Sequence, residues 1–162
     1  VSDTLESIGS GAFKGCYQLE SIALPFIGKE RGNANTKEAL FGYIFGTNGT
    51  TSADDGDEGI ITPSSVYQYC DAELKDGSYF AIPSSLKSIT INGETVVARG
   101  SLMNLTNVNT IYIGDSVTSI SEGAFAGSSG IVDITLPFVG NKPSYRAAPS
   151  DQGTAGSHWS SH

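Results

Sequence analysis

The stretch SIGSGAFKGCYQLESIALPF, residues 7–26, returns in altered form as SISEGAFAGSSGIVDITLPF, residues 119–138. Aligned at a constant offset of 112 residues, 5–28 and 117–140 agree at 11 of 24 positions, where ordinary residue frequencies give roughly one or two. No other feature limits the fold as strongly, because a unit repeated in sequence is a unit repeated in space.

The finer unit is apolar-x-x-apolar-x-apolar. It occurs as Leu19-Ile22-Leu24, Leu86-Ile89-Ile91, Val108-Ile111-Ile113 and Ile131-Ile134-Leu136, and the last three begin 22 and 23 residues apart. A second apolar anchor lies 14 residues before the central one: Ile8 before Ile22, Val97 before Ile111, Ile120 before Ile134. The x-apolar-x-apolar alternation has period two and is rich in β-branched residues, so each unit predicts a short strand with one buried face. Between the anchors, GSGAFKGC and SEGAFAGS are too glycine-rich and too short for a regular helix. Their Ala12-Phe13 and Ala124-Phe125 pairs read as one helical turn that plugs a phenylalanine into the core; Ser101-Leu102 takes that place in the middle copy. One such unit cannot bury its own apolar face, whereas stacked units share a continuous core. The fold class this predicts is a mainly-β leucine-rich-repeat solenoid, a strand plus a turn per repeat, with Ile22, Ile111 and Ile134 inside.

Four regions follow. Residues 1–28 are a first repeat, 29–84 an insertion, 85–140 further repeats, and 141–162 an aperiodic tail or the start of a second insertion. Within the insertion, LFGYIFG (40–46) is an aromatic run that must be buried or paired, as a strand or a turn. TNGTTSADDGDEG (47–59) has loop composition, and IITPSSVYQYC and YFAIPSSLKSITI read as strands. The region predicts a decoration on the array. The chain opens inside a repeat pattern and therefore reads as part of a longer parent.

Charge and chemistry exclude more than they select. With 9 basic and 17 acidic residues the net charge is −8, so no basic stripe exists to displace counterions from nucleic-acid phosphates. No apolar run approaches the roughly 18 residues of a membrane span, so membrane insertion is not expected. The two histidines, His158 and His162, stand four apart in HWSSH; on a helix they could clip a metal, but Gly and Ser surround them and no third ligand is near. The acidic run Asp54, Asp55, Asp57, Glu58 offers hard oxygen ligands yet lacks the alternating order of a calcium loop. Sequons stand at Asn48 and Asn104. Cys16 and Cys70 show no CxxC spacing; they are small buried apolar residues or one disulfide, and alignment of Cys16 with Ser128 favours a small-residue packing slot. Without a histidine in the repeat body, a Ser or Cys nucleophile lacks its usual base. No catalytic residue, metal site or cofactor is predicted.

Surface recognition remains. In each strand the residues flanking the central apolar one point outward, which predicts a ladder of Ser21, Ala23; Ser88, Thr90; Thr110, Tyr112; Asp133, Thr135. The candidate binding face is Ser88, Thr90, Thr110, Tyr112, Asp133 and Thr135. Ser and Thr are equally ordinary on solvent-facing strands. Tyr43, Tyr67, Tyr69, Tyr79 and Phe80 of the insertion form a competing patch, half or more of it expected in the core.

The string SIGSGAFKGCYQLESIALP resembles the repeat of the BspA-type, or treponemal-type, leucine-rich-repeat proteins, whose unit approximates ItsIgegAFagCssLtsItiP. LFGYIFG followed by IPSSLKSITI is similar to an insertion in bacterial members. The resemblance is specific in 8–25 and 117–137 and departs at 91–105, where the Ala-Phe pair is missing. It implies a secreted or surface-anchored bacterial protein without a catalytic motif, extracellular or at the cell surface, that adheres to a host or neighbouring-cell surface protein or a glycan. Rival readings are spacer repeats that hold another domain outward, and a carbohydrate-binding module. The family carries no functional residues to transfer.

Overall fold

A computed structural model describes residues 4–47, 65–73 and 75–138. The period-two segments are strands: β1 (Ser21–Leu24), β4 (Ser88–Ile91), β6 (Thr110–Ile113) and β8 (Asp133–Thr135) form one parallel sheet in the order β1-β4-β6-β8. Register is uniform, Ile22 facing Ile89, Ile89 facing Ile111 and Ile111 facing Ile134. A one-residue slip would turn every isoleucine outward, so the apolar pattern and the ladder enforce each other. The upstream anchors form a second wall, where β5 (Val96–Val97) pairs in parallel with β7 (Ser119–Ile120) and the Ile8 N–H donates to Lys29 O at 2.8 Å.

A third wall is built from the turns. Gly11 and Phe13 N–H donate to Tyr43 and Ile44 carbonyls (3.0 and 2.8 Å), Phe41 N–H to Ser101 O (2.8 Å), and Leu102 and Asn104 N–H to Ala124 and Ala126 carbonyls (2.9 and 2.8 Å). Between the walls lies one apolar cluster that runs from Ile8 to Phe125. The result is a mainly-β repeat fold.

The region expected to decorate the array contributes to this core. Two 3-10 turns, Lys37–Ala39 and Phe41–Phe45, carry the aromatic run, and Phe41, Ile44 and Phe45 are fully buried. β1 pairs directly with β4, so the level that holds β4 needs a turn of its own. Residues 41–45 supply it, filling with aromatic rings the slot that other repeats fill with Ala-Phe or Ser-Leu. Downstream, β2 (Val66–Tyr69) and β3 (Gly77–Phe80) make an antiparallel hairpin. Buried Gln68 fastens it: its Oε1 accepts the Gly42 N–H at 2.8 Å and its Nε2 donates to Met103 O at 2.9 Å.

Three expectations need correction, and each concerns an end of the stack. Ile22 and Ile111 are buried, but Ile134 is 39% exposed, because β8 is the last strand of the sheet and no further strand lies over it among the described residues. In the first repeat Ala12 is exposed and Phe13 only half-buried, unlike buried Ala124 and Phe125. Cys16, read as filling a packing slot, is exposed for the same reason, while Cys70 is buried and both thiols are free.

Two buried polar groups bind the excursions to the stack or break its pattern. Glu94, 1% exposed, accepts the Ile27 N–H on Oε2 (2.9 Å) and those of Gly32, Thr95 and Val96 on Oε1 (2.6, 2.8 and 3.3 Å). A buried carboxylate is tolerable when several N–H dipoles solvate it. Ser101, in contrast, sits where the sister repeats have Ala12 and Ala124, and its buried Oγ has no partner. Two outcomes follow for urea unfolding. Ser101→Ala should raise stability by about 1 kcal/mol, since it removes an unpaid hydroxyl and leaves no cavity. Glu94→Gln should lower it by about 2–4 kcal/mol, because an amide NH2 then confronts a backbone donor.

Candidate functional site

The expected ladder forms. Sheet register places Ser21, Ser88, Thr110 and Asp133 in one row and Ala23, Thr90, Tyr112 and Thr135 in the next. Their inward neighbours are the isoleucines, so the rigid core fixes each outward side chain two residues from the next. Ser88, Thr90 and Thr110 are half-buried, whereas Ser21, Ala23, Tyr112, Asp133 and Thr135 are exposed. Tyr112, 42% exposed, stands on an inner strand between Thr90 and Thr135. The Thr110 hydroxyl is engaged locally, donating to Asn109 Oδ1 at 2.9 Å.

Sequence reasoning missed a third row. The N–H groups of Lys87, Asn109 and Val132 donate to the carbonyls of Glu20, Lys87 and Asn109 at 2.8, 2.9 and 2.9 Å, which aligns Glu20, Lys87, Asn109 and Val132, all exposed, along the strand entrances. The signal was present in the first x of each unit, which precedes the strand proper. With this row the face carries Glu20, Lys87 and Asp133 as its charges. It is otherwise neutral, with hydroxyls around one tyrosine and with Ala23, Asn109 and, at 85% exposure, Val132.

The competing aromatic patch divides. Phe80 is buried and Tyr43 half-buried, while Tyr67, Tyr69 and Tyr79 share one side of the β2–β3 hairpin. Other candidates do not converge. His158, His162, the acidic run at 54–58 and Asn48 lie outside the described residues. Asn104 uses its amide to donate to Tyr67 O, 2.6 Å away, and adopts φ 58° where Gly15 and Gly127 sit in the sister repeats at 87° and 74°. Its short polar side chain tolerates that left-handed backbone and anchors the hairpin in the same step. No group of three or more metal-ligating residues occurs among the described residues, and no helix there is long and apolar enough to cross a membrane.

The buried thiol is poorly placed for nucleophilic work. Burial pushes the Cys70 pKa up to about 11, and the hydrogen bond to Asp76 and that residue's negative charge add to the rise. A thiolate is the reactive form, so the environment suppresses it.

A family model described as BspA type leucine-rich repeat region (6 copies) matches residues 1–34 and 65–142. No curated protein and no solved structure matches the chain.

Because the folded chain holds the Cys70 proton more tightly than the unfolded chain, whose thiol titrates near 9, its contribution to stability is complete below pH 9 and is lost between 9 and about 11. Thermal unfolding across that range should therefore show a steeper decline for the natural chain than for Cys70→Ala. In native protein a thiol reagent should modify Cys16 alone.

Proposed function

The chain belongs to the BspA-type leucine-rich-repeat family, and on that premise we propose that it is a non-catalytic solenoid that acts at the cell surface or in the extracellular space and adheres to proteins through its strand face. The family is built from repeats rather than around a reaction, and its members are often surface-associated. Tyr112 carries the reading: a large amphipathic ring exposed in the interior of a sheet, ringed by Thr90, Thr110 and Thr135. Tyrosine anchored among small polar residues on a rigid support is the composition that interface centres favour. Rows of hydroxyls around it can exchange hydrogen bonds with a partner's backbone and side chains without the desolvation cost of buried charge.

The test is a binding series against immobilised extracellular-matrix and cell-surface proteins, with Thr90→Glu/Tyr112→Glu as the comparison. Saturable binding that weakens about tenfold or more in the double variant (about 1.4 kcal/mol) is the expected result. Binding that persists unchanged removes the strand face as the contact. Failure to bind any protein in the series leaves a spacer, and selective retention on oligosaccharides a carbohydrate-binding module.

A further inference from the structure

The β2–β3 hairpin presents an outward surface that its fold does not require. Gln68, Cys70 and Phe80 face the core at 0, 4 and 3% exposure. Tyr67 is paired directly with Tyr79, and Tyr69 follows two residues later, so all three tyrosines share the opposite side. The outward positions of a hairpin with one buried side are ordinarily polar. Here the rings gather instead, Tyr67 and Tyr79 with centroids 4.9 Å apart at 59°, Tyr67 and Tyr69 5.9 Å apart at 44°. Gly77, paired with Tyr69, lies against both backbone and rings: a Cβ there would collide with the Gln68 carbonyl oxygen and stand 2.8 Å from Tyr69 Cβ and 3.0 Å from Tyr67 Oη. Cross-strand aromatic pairing stabilises a hairpin. That accounts for one pair of rings, and neither for the third nor for Tyr79 remaining 38% exposed.

Charge indicates the partner. The connection between the strands carries Asp71, Glu73 and Asp76 against Lys75. Lys75 Nζ lies 2.9 Å from Glu73, while Asp76 turns to the side of the hairpin away from the rings, where its Oδ2 accepts from the Cys70 thiol at 3.4 Å and Lys37 Nζ approaches at 3.9 Å. The Asp71 carboxylate accepts the N–H groups of Lys75 and Asp76 at 3.0 and 2.9 Å, which fixes an anion beside the end of β2. The flat face of a phenol ring is itself negative, and the whole chain carries −8. Rings followed in the chain by the carboxylates of Asp71 and Glu73 suit a guanidinium or ammonium group, which gains ring contact and ion pairing together.

We propose that the tyrosine face of the hairpin, Tyr67, Tyr69 and Tyr79 with the rim that Asp71 and Glu73 form at the end of β2, is a docking site for an extended arginine- or lysine-bearing segment of a partner protein. The site is independent of the strand face. It projects from the wall of turns, where Gln68 and Asn104 hold it to the 3-10 turn and the third repeat. A cationic side chain stacks on Tyr79, the most open ring, while the rim orients the segment and speeds its arrival.

Fluorescence anisotropy with labelled basic, neutral and acidic peptides of equal length tests this on the whole chain. The basic peptide should bind saturably and more weakly as salt rises. Tyr79→Thr, which keeps charge and strand propensity, should weaken it about tenfold, while Tyr79→Phe retains most of the affinity because the ring remains. Glu73→Lys, at an exposed rim position, should weaken it severalfold without touching a buried group. Tyr112→Glu should leave it unchanged, which separates this site from the strand face. Two results overturn the proposal: basic-peptide binding indifferent to Tyr79→Thr in a chain that unfolds at the natural midpoint, which is general attraction to an acidic protein, or equal binding of the neutral peptide or of a neutral oligosaccharide. If Tyr79→Thr does not fold, indifference of the binding to Glu73→Lys overturns it in the same way.

Discussion

Lateral pairing between equivalent residues of successive repeats is the constraint from which the other features of this molecule follow. A strand of three or four residues has no stability alone, and neither does a glycine-rich turn. In register, Ile22, Ile89, Ile111 and Ile134 form one ladder, and each central member is sealed by the strand on either side. At β8, the last strand among the described residues, the same residue type in the same position is 39% exposed, whereas Ile89 and Ile111, with a strand on either side, are buried. That contrast locates the stabilisation in the contact between repeats, not within any one of them.

The second level of the stack shows how far a sequence can stray while the ladder is kept. One excursion leads from β1 to this level's aromatic turn, and a second, containing the β2–β3 hairpin, separates that turn from its strand. At that strand the backbone hydrogen bonds match those of the neighbours, Lys87 N–H to Glu20 O and Asn109 N–H to Lys87 O. At the turn, Phe41 N–H to Ser101 O stands where the third and fourth repeats share three such bonds. Buried polar side chains compensate for the broken connectivity. Glu94 collects the stray N–H groups of the first excursion, and Gln68 joins the hairpin to the turn below it. Each replaces bonds that an uninterrupted repeat would make through its backbone.

Rigid stacking also creates the surfaces. Outward residues of the sheet are held in rows because their inward neighbours cannot move, so a tyrosine in the middle of such a row is presented rather than floating. The hairpin offers a different chemistry, three rings and a carboxylate rim on a part of the molecule not bound by the repeat pattern. A protein built this way can vary its excursions while its core stays constant, since loops tolerate change that a shared ladder does not.

The repeat, its register and the outward ladder were legible in the sequence because period-two alternation and fixed spacing translate directly into which face a side chain takes. The buried isoleucines at 22 and 111 and the rows through Thr90 and Tyr112 needed nothing more. Other features depended on three-dimensional context. LFGYIFG carries no repeat signature, and only the direct pairing of β1 with β4 shows that a turn was missing at its level. Exposure of Ile134 and Cys16 goes with their place in the first and last repeats among the described residues, which local pattern does not encode. The solvation of Glu94, the orphaned hydroxyl of Ser101 and the gathering of Tyr67, Tyr69 and Tyr79 on one side all arise between segments distant in the chain. Periodicity thus determined what each repeat is; tertiary structure decided what lies beside it, because burial and hydrogen-bond satisfaction belong to neighbours in space rather than in sequence.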